Sequence, residues 1–536
     1  MRTLDKDGYA LPPVYQETVP TTENKTGLWR FLTPIRREKI SPCRKSCPLE
    51  NNIPRWINEV KEGNWGKAWS VMKKYNPFPA ITGHVCYRFC EDECSRGFLD
   101  EAVHIGEMEK KIGLWRHRNY KFSETKPGNA EANEGKKPEV AIAGSGPAGL
   151  SCAYYLNVLG AKVTILEKMS QAGGLLATGI PEYRLPRDIL QKELDILQSE
   201  GIIIKTGLKV GKDITLNDLR KNYAAVLLAV GAQESKLPQI AGDAVSEVAG
   251  AVEFLRDIHL NKIKKVQGQI VVIGGGNAAV DAACMAKLQG ADKVTLLYRR
   301  TREEMPAHSD EVNAAREAGV DFVFCAVLQE IIGGEKIQKI RACRAAPSRR
   351  GERLQILAET AFDLDCDFLI MAVGQESGLS RFSSLSFSAD GIAENGAAVF
   401  AAGDALSGPA TVADAIFSGR KAALLLAGIL WPEKNISNLS VASSLNGNEP
   451  IVELEHLNPR LFLRQGRFNT AEDEAGRCFG CGICNNCGVC WAFCPDLAVG
   501  GSDFEILLDY CKGCGICVRE CPTGVLEMEE VSSGGA

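Results

Sequence analysis

The feature that most constrains this chain occurs twice: VAIAGSGPAGL, from Val140 to Leu150, and IVVIGGGNAAV, from Ile270 to Val280. Each is a short apolar run of β character, then a Gly-rich turn, then the Ala-rich start of a helix, which is the first βα unit of a dinucleotide-binding domain. Two such units predict two nucleotides. In the first, Gly144 makes the tight turn, Gly146 lets the backbone approach a pyrophosphate and Gly149 lets helix pack on strand. The pyrophosphate then rests on the helix N-terminus. Gly274, Gly276 and Asn277 form the corresponding turn of the second unit.

A Gly-rich turn alone also occurs as a purely structural feature, so the next strand has to discriminate. After the first unit comes KVTILEK, whose Glu167 lies 18 residues beyond Gly149, where an acid accepts hydrogen bonds from ribose hydroxyls. An unphosphorylated ribose is expected there, as in FAD. The matching strand of the second unit reads KVTLLYRR and ends in Arg299 and Arg300 instead of an acid. Guanidinium forks suit a 2′-phosphate, so the second nucleotide is expected to be NADP(H), with NAD(H) as the alternative. The plainer reading is a solvated arginine pair at a strand end.

At 536 residues the chain is long enough for three or four domains. A net charge of −5 argues against a nucleic-acid partner. The apolar stretch AALLLAGILW has ten residues, too few to span a bilayer, and MRTLDKDGYA has no apolar core of a signal peptide, so a cytoplasmic location is expected. Of twenty cysteines, five lie between Cys43 and Cys94 and ten between Cys478 and Cys521. Such clusters, without an export signal, read as metal ligands rather than disulfides. Cys152, Cys284, Cys325, Cys343 and Cys366 stand singly and read as small buried apolar side chains.

Taken in order, residues 1–40 are a mixed N-terminal extension, and 41–122 a helical iron–sulfur domain opening with SPCRKSCP. In it Ile53, Trp56, Ile57 and Val60 fall on one helical face, and Cys86, Cys90 and Cys94 follow at four-residue spacing. Iron–sulfur fits better than a disulfide set, with zinc as the metal alternative. Residues 123–137 are a polar linker. An FAD-binding domain over 138–265 and 376–430 is interrupted by an NADP(H)-binding domain over 266–375, the runs AAVLLAVGA and DFLIMAVGQ serving as hinges. VFAAGDA places Gly403 and Asp404 after a β run and Thr411 at the start of the next helix, all counted as candidate cofactor contacts. Residues 431–475 are a second linker, and 476–528 are a ferredoxin-like domain.

That last domain carries the strongest motif. Cys484, Cys487, Cys490 and Cys494 form C-x2-C-x2-C-x3-C-P, and Cys511, Cys514, Cys517 and Cys521 repeat it. This is the two-cluster bacterial ferredoxin pattern, in which the fourth cysteine of each run binds the other cluster. One cluster is expected on Cys484, Cys487, Cys490 and Cys521, the other on Cys511, Cys514, Cys517 and Cys494. A zinc ribbon would need isolated C-x2-C pairs about 15–20 residues apart.

GSGPAGLSCAYYL, GGLLATGIPEYRLPRDIL, GGGNAAVDAA, YRRTREEMPA and AAGDA together resemble the small (β) subunit of NADPH-dependent glutamate synthase and its relatives over roughly 41–430. That resemblance implies FAD contacts at Gly174, Leu175 and Arg184 and hydride transfer from NADPH to flavin. The fused module resembles the ferredoxin-like subunit of 2-oxoacid oxidoreductases, and the layout is similar to flavoproteins that exchange electrons with dissimilatory sulfite reductase. Relatives carry further cysteine ahead of the position of Cys43, where this chain reads LTPIRREKISP, so one of the family's two N-terminal clusters is expected to be missing. The other would use Cys47, Cys86 and Cys90, with Glu109, or else Cys43 or Cys94, as fourth ligand.

The fold class expected is therefore α/β: two Rossmann-like dinucleotide-binding domains, FAD with an inserted NAD(P) domain, between a helical [4Fe-4S] domain and a 2[4Fe-4S] ferredoxin-like domain. The function expected is electron transfer between NAD(P)H and a protein partner through FAD and three clusters. The chain would act as a subunit or partner of a larger redox enzyme such as a 2-oxoacid oxidoreductase or dissimilatory sulfite reductase. No acid–base residue is needed for a hydride step, and none is assigned as catalytic. Alternatives are the NADPH-oxidising subunit of a glutamate synthase and a non-catalytic docking module. A thiol–disulfide reductase is disfavoured because residues 138–430 hold no C-x2-C or C-x4-C pair. Three clusters with Glu109 as one ligand use eleven of the fifteen clustered cysteines and leave Cys43, Cys94, Cys478 and Cys481. These are either spare thiols, with Cys43 or Cys94 in the N-terminal cluster, or the ligands of a fourth cluster.

Overall fold

The computed structural model describes residues 27, 30–121, 137–238, 240, 247–394, 398–433 and 450–530. The expected linker at 123–137 lies outside the described residues apart from Lys137. The chain forms two compact units, one of Met1–Met72, Arg88–Met108 and Ser443–Ala536, the other of Lys73–Tyr87 and Glu109–Ala442.

The second unit holds both Gly-rich turns, each at the centre of its own five-stranded parallel sheet. The first sheet has the order Val399–Ala401, Ala225–Leu228, Glu139–Ala143, Lys162–Leu166, Ile203–Lys205. The second runs Val320–Phe324, Lys293–Tyr298, Gln269–Ile273, Phe368–Met371, Val248–Gly250. The central strands read as near-continuous apolar runs because both their faces are covered. In Gln269–Ile273 the side chains of Ile270 and Val272 join a core with the helices Ala251–His259 and Asn277–Leu288. Those of Val271 and Ile273 face a three-stranded antiparallel sheet over residues 326–365.

The strand Val248–Gly250 pairs with Phe368–Met371, so the second sheet begins before residue 266, the boundary expected from sequence. Three residues offer no periodicity to read, and only pairing with a strand more than a hundred positions away reveals them. The two expected hinge runs end in a short antiparallel ribbon, Glu234–Ser235 against Gln375–Glu376. Of the scattered cysteines, four are buried and Cys325 is half-buried.

The first unit gathers segments distant in sequence. Leu32–Arg36 pairs antiparallel with Leu526–Glu530. The helix Ile53–Lys61 buries Ile53, Trp56, Ile57 and Val60, the face expected from spacing. At ~1.5–3 kcal/mol per fully buried side chain, that face dominates the helix's stability. Ala471–Gly476, capped by Thr470, packs on it. In the ferredoxin-like part the helices Val489–Ala492 and Ile516–Arg519 each follow a glycine in the left-handed conformation, Gly488 and Gly515, at the same place in the two cysteine runs. No described helix is long and apolar enough to cross a membrane.

Candidate functional site

The glycines of the first turn divide by what a side chain would meet. A Cβ on Gly144, whose φ is +107°, would lie 2.3 Å from the Ala229 carbonyl oxygen, and one on Gly149 would lie 2.1 Å from the Gly144 carbonyl oxygen. On Gly146 it would meet nothing within 4 Å. Packing therefore demands glycine at the outer positions, whereas the middle one faces open space in front of the helix Pro147–Leu159. Gly174 lies against Gly146, and Gly403 against Ala148, so three segments converge on that helix N-terminus. Leu175 opens the short helix Leu175–Thr178 beside it. A bound pyrophosphate fits this cradle of small residues at a helix N-terminus.

Glu167 is buried and accepts hydrogen bonds from Ser145 N (3.0 Å), Ser145 Oγ (2.6 Å) and Met169 N (2.9 Å). It lines a groove with Gly144, Lys168, Gln233 and Arg381. Ser145 was not singled out by sequence, although it stands inside the motif. Its Oγ also accepts from Gly173 N, coupling the acid to the Gly173–Gly174 turn. Asp404 is half-buried, and desolvation pushes its carboxyl up to about 6 against the hydrogen bond from Ala410 N. Thr411 caps the helix Val412–Leu430, its Oγ1 accepting from Asp414 N at 3.1 Å.

The second turn repeats the outer constraint: a Cβ on Gly274 would lie 2.4 Å from the Ala372 carbonyl oxygen, while Gly276 is open. Here the middle is different. Gly275 packs under the Tyr298 ring, and Asn277 Oδ1 accepts from His308 N at 3.0 Å, tying the turn to the loop after Tyr298. The two arginines part company. Arg299 is exposed and makes no ion pair among the described residues. Arg300 is buried and donates to the carbonyls of Arg349 and Glu352 at 3.2 and 3.4 Å.

Arg184 joins the two halves of this unit. Its Nη1 reaches both Asp281 oxygens at 3.0 and 2.9 Å, its Nη2 pairs with Glu311 at 2.5 Å, and its guanidinium lies 5.8 Å from the Tyr87 ring centroid. Burial outweighs that arginine, pushing Asp281 up to about 6 and Glu311 up to about 7. Glu311 Oε2 is buried with no hydrogen-bond partner among the described residues, which accounts for the cost of charging it.

The cysteines fall into sets. Cys484, Cys487, Cys490 and Cys521 line one cavity, and Cys494, Cys511, Cys514 and Cys517 line another, so the fourth member of each set comes from the other run. Cys43, Cys94, Cys478 and Cys481 line a third. Cys47 and Cys90 lie in the first unit, Cys86 and Glu109 in the second. Glu109 Oε1 there accepts from Asn76 Nδ2 at 2.8 Å and from Thr82 Oγ1. Among the described residues no three His, Cys, Asp or Glu side chains converge on a single-ion site, the ferredoxin-type sets included. Quartets lining cavities suit a cluster with its own volume, and thiolates are its usual ligands.

Two dinucleotide cradles and cysteine quartets in one chain define an iron–sulfur flavoprotein oxidoreductase acting with NAD(P)H. Residues 138–419 match the family described as pyridine nucleotide-disulphide oxidoreductase, and the chain belongs to that family. Residues 38–120 match dihydropyrimidine dehydrogenase domain II, 4Fe-4S cluster, and 504–527 match the 4Fe-4S binding domain. The chain is 35% identical over 422 residues to the β subunit of an NADP(+)-dependent formate dehydrogenase of Moorella thermoacetica, covering 72% of this chain and 59% of that one. It is 35% identical over 353 residues to the β subunit of a Geobacter sulfurreducens NADPH-Fe(3+) oxidoreductase, covering 63% and 52%. With the glutamate synthase [NADPH] small chain of Escherichia coli it shares 32% over 418 residues, 71% of this chain and 87% of that one. The chain thus spans little more than half of the first two relatives. Among solved structures, Mycobacterium tuberculosis FprA in complex with NADPH matches with a TM-score of 0.49 and 17% identity, over 58% of this chain and 88% of that one.

Proposed function

We propose that the chain takes electrons from NADPH at the Gly274–Asn277 turn and hands them singly, through FAD and its cysteine-held clusters, to a protein partner in a larger redox enzyme. The observation that carries this is the presence in one chain of two dinucleotide cradles and crossed cysteine quartets. FAD, when bound, would exchange electron pairs, as hydride, with a nicotinamide and single electrons with iron–sulfur clusters. The residues have separate tasks. Gly146 and Gly276 leave room for the two pyrophosphates, Glu167 orients an adenosine ribose, and Arg299 presents a guanidinium to a 2′-phosphate. Thiolates from Cys484, Cys487, Cys490 and Cys521, and from Cys494, Cys511, Cys514 and Cys517, hold the ferredoxin-type clusters.

Similarity to subunits of formate dehydrogenase, NADPH-Fe(3+) oxidoreductase and glutamate synthase supports a partner-bound role. A 2-oxoacid oxidoreductase or dissimilatory sulfite reductase would be a suitable acceptor or donor. The test is an anaerobic titration with NADPH: absorbance of the flavin and then of the clusters should bleach, and a viologen or tetrazolium dye should be reduced. Flavin bleaching with clusters left oxidised at equilibrium, and no dye reduction, would overturn the electron-transfer reading and leave a docking module.

A further inference from the structure

Four of the clustered cysteines line neither ferredoxin-type cavity but share one of their own, and they come from three distant stretches of chain. We propose that Cys43, Cys94, Cys478 and Cys481 bind a further [4Fe–4S] cluster, so that a C-x2-C pair just ahead of the ferredoxin pattern completes a site begun near residue 43. This rests on the iron–sulfur character of the chain and not on the identity of its partner.

The cavity these thiols line matches each of the two ferredoxin-type cavities in size. Besides Ser95 and Arg96 its remaining wall is apolar, with Pro42, Ile53, Ile57, Val103 and Phe479, and holds no carboxylate or imidazole. The four thiols are therefore the main ligands on offer. None of the four cysteines is in a disulfide. Loading the cluster replaces four S–H bonds by four Fe–S bonds and releases four protons.

Polar groups are already directed at these sulfurs. Ser41 Oγ lies 3.2 Å from Cys43 Sγ, Gly480 N donates to Cys478 Sγ at 3.4 Å, and the buried Ser95 hydroxyl stands beside Cys481. Hydrogen bonds of this kind tune cluster potentials, and the ferredoxin-type set has one too, from Ala498 N to Cys494 Sγ at 3.2 Å.

A second, independent observation is the ionic clamp beside the cavity. Arg96, two residues after Cys94, and Arg477, just before Cys478, are both fully buried. Arg96 Nε donates to Asp100 at 2.7 Å and its Nη1 to the Arg477 carbonyl at 3.1 Å. Arg477 pairs with Glu474 at 2.7 Å and with Asp100 at 2.9 Å. Glu474 in turn accepts from His104 N and Phe468 N. Burying so many charges is costly before pairing, so the network is better explained by the register it fixes than by net stability. That register brings the segment after Cys94 to the segment before Cys478.

The position suits a relay. Cys481 is three residues from Cys484, which limits their Cα separation to about 11 Å. On the other side, Cys43 precedes Cys47, and Cys90 precedes Cys94, by four residues each.

Iron and acid-labile sulfide should be counted per FAD in anaerobically purified, reconstituted full-length protein. Four clusters require about sixteen irons per chain and three about twelve. Cys478→Ser and Cys94→Ser should each lose about four irons and the same EPR signal of the reduced protein while keeping FAD. About twelve irons in the fully loaded parent, a mononuclear zinc in the site, or different signals lost from the two variants would overturn the proposal. The parent count decides even if the variants do not fold.

Discussion

The two Gly-rich turns begin alike and finish differently. Both have an outer glycine pressed onto a neighbouring carbonyl and a middle one facing open space. Beyond the turn, Glu167 is drawn in by Ser145 and Met169, whereas the second strand ends with Arg299 exposed and Arg300 buried. On the proposed function, the common part would make a dinucleotide site and the divergent part would choose the dinucleotide. Backbone packing can be tested separately from ligand choice because the two reside on different residues.

The largest expected effect breaks the common part. Gly149→Val places side-chain atoms against the Gly144 carbonyl and should cost ~3 kcal/mol or more, giving little soluble FAD-loaded protein. Gly146→Ala adds a methyl to open space, so apo-protein melting should hardly change while FAD affinity falls about tenfold, ~1.4 kcal/mol. Equal loss of melting temperature in both variants would refute the division. Next, Glu167→Ala should weaken FAD binding about 10- to 100-fold and leave NADPH binding alone, as read by flavin release on dilution.

How legible these residues were depends on the reach of their partners. Glu167 could be read from its spacing, since the ribose it would meet is fixed by the adjacent turn. Arg300 could not, because the carbonyls it serves, on Arg349 and Glu352, lie some fifty positions on in a loop without a motif. Arg184 was marked by family likeness as a flavin contact, and its pairing with Asp281 and Glu311 required the packed helices to be seen. The parallel sheets were legible from their doubly buried apolar runs, the three-residue strand Val248–Gly250 was not.

The arginines sharpen the comparison. Arg299→Glu should lower kcat/KM for NADPH about 10- to 100-fold with a smaller change for NADH. Arg300→Glu should lower thermal stability and leave the ratio of the two coenzymes near that of the parent; the reverse assignment would show as a changed ratio from Arg300→Glu alone.

The smallest effect concerns pH. Asp281 and Glu311 have carboxyls raised to about 6 and about 7, so the folded state holds their protons more tightly than the unfolded chain does. The stability they contribute is fully present below the ordinary carboxylate range and is lost as pH rises through about 7. Melting temperature of the ligand-free protein should fall between pH 5 and 8, and Glu311→Gln should flatten the upper part of that fall.

The pairing of Leu32–Arg36 with Leu526–Glu530 also has a bearing on biosynthesis. At ~5–20 residues per second, the ribosome needs on the order of half a minute or more to supply the second strand after the first. Throughout that interval the early strand and the face of Ile53–Lys61 that receives Ala471–Gly476 wait uncovered. The intervening dinucleotide unit has the whole of its chain available sooner and is free to fold first. Metal loading of the discontinuous unit should then follow the arrival of its last segments, and truncation before residue 470 should leave an aggregation-prone chain around an intact flavin unit.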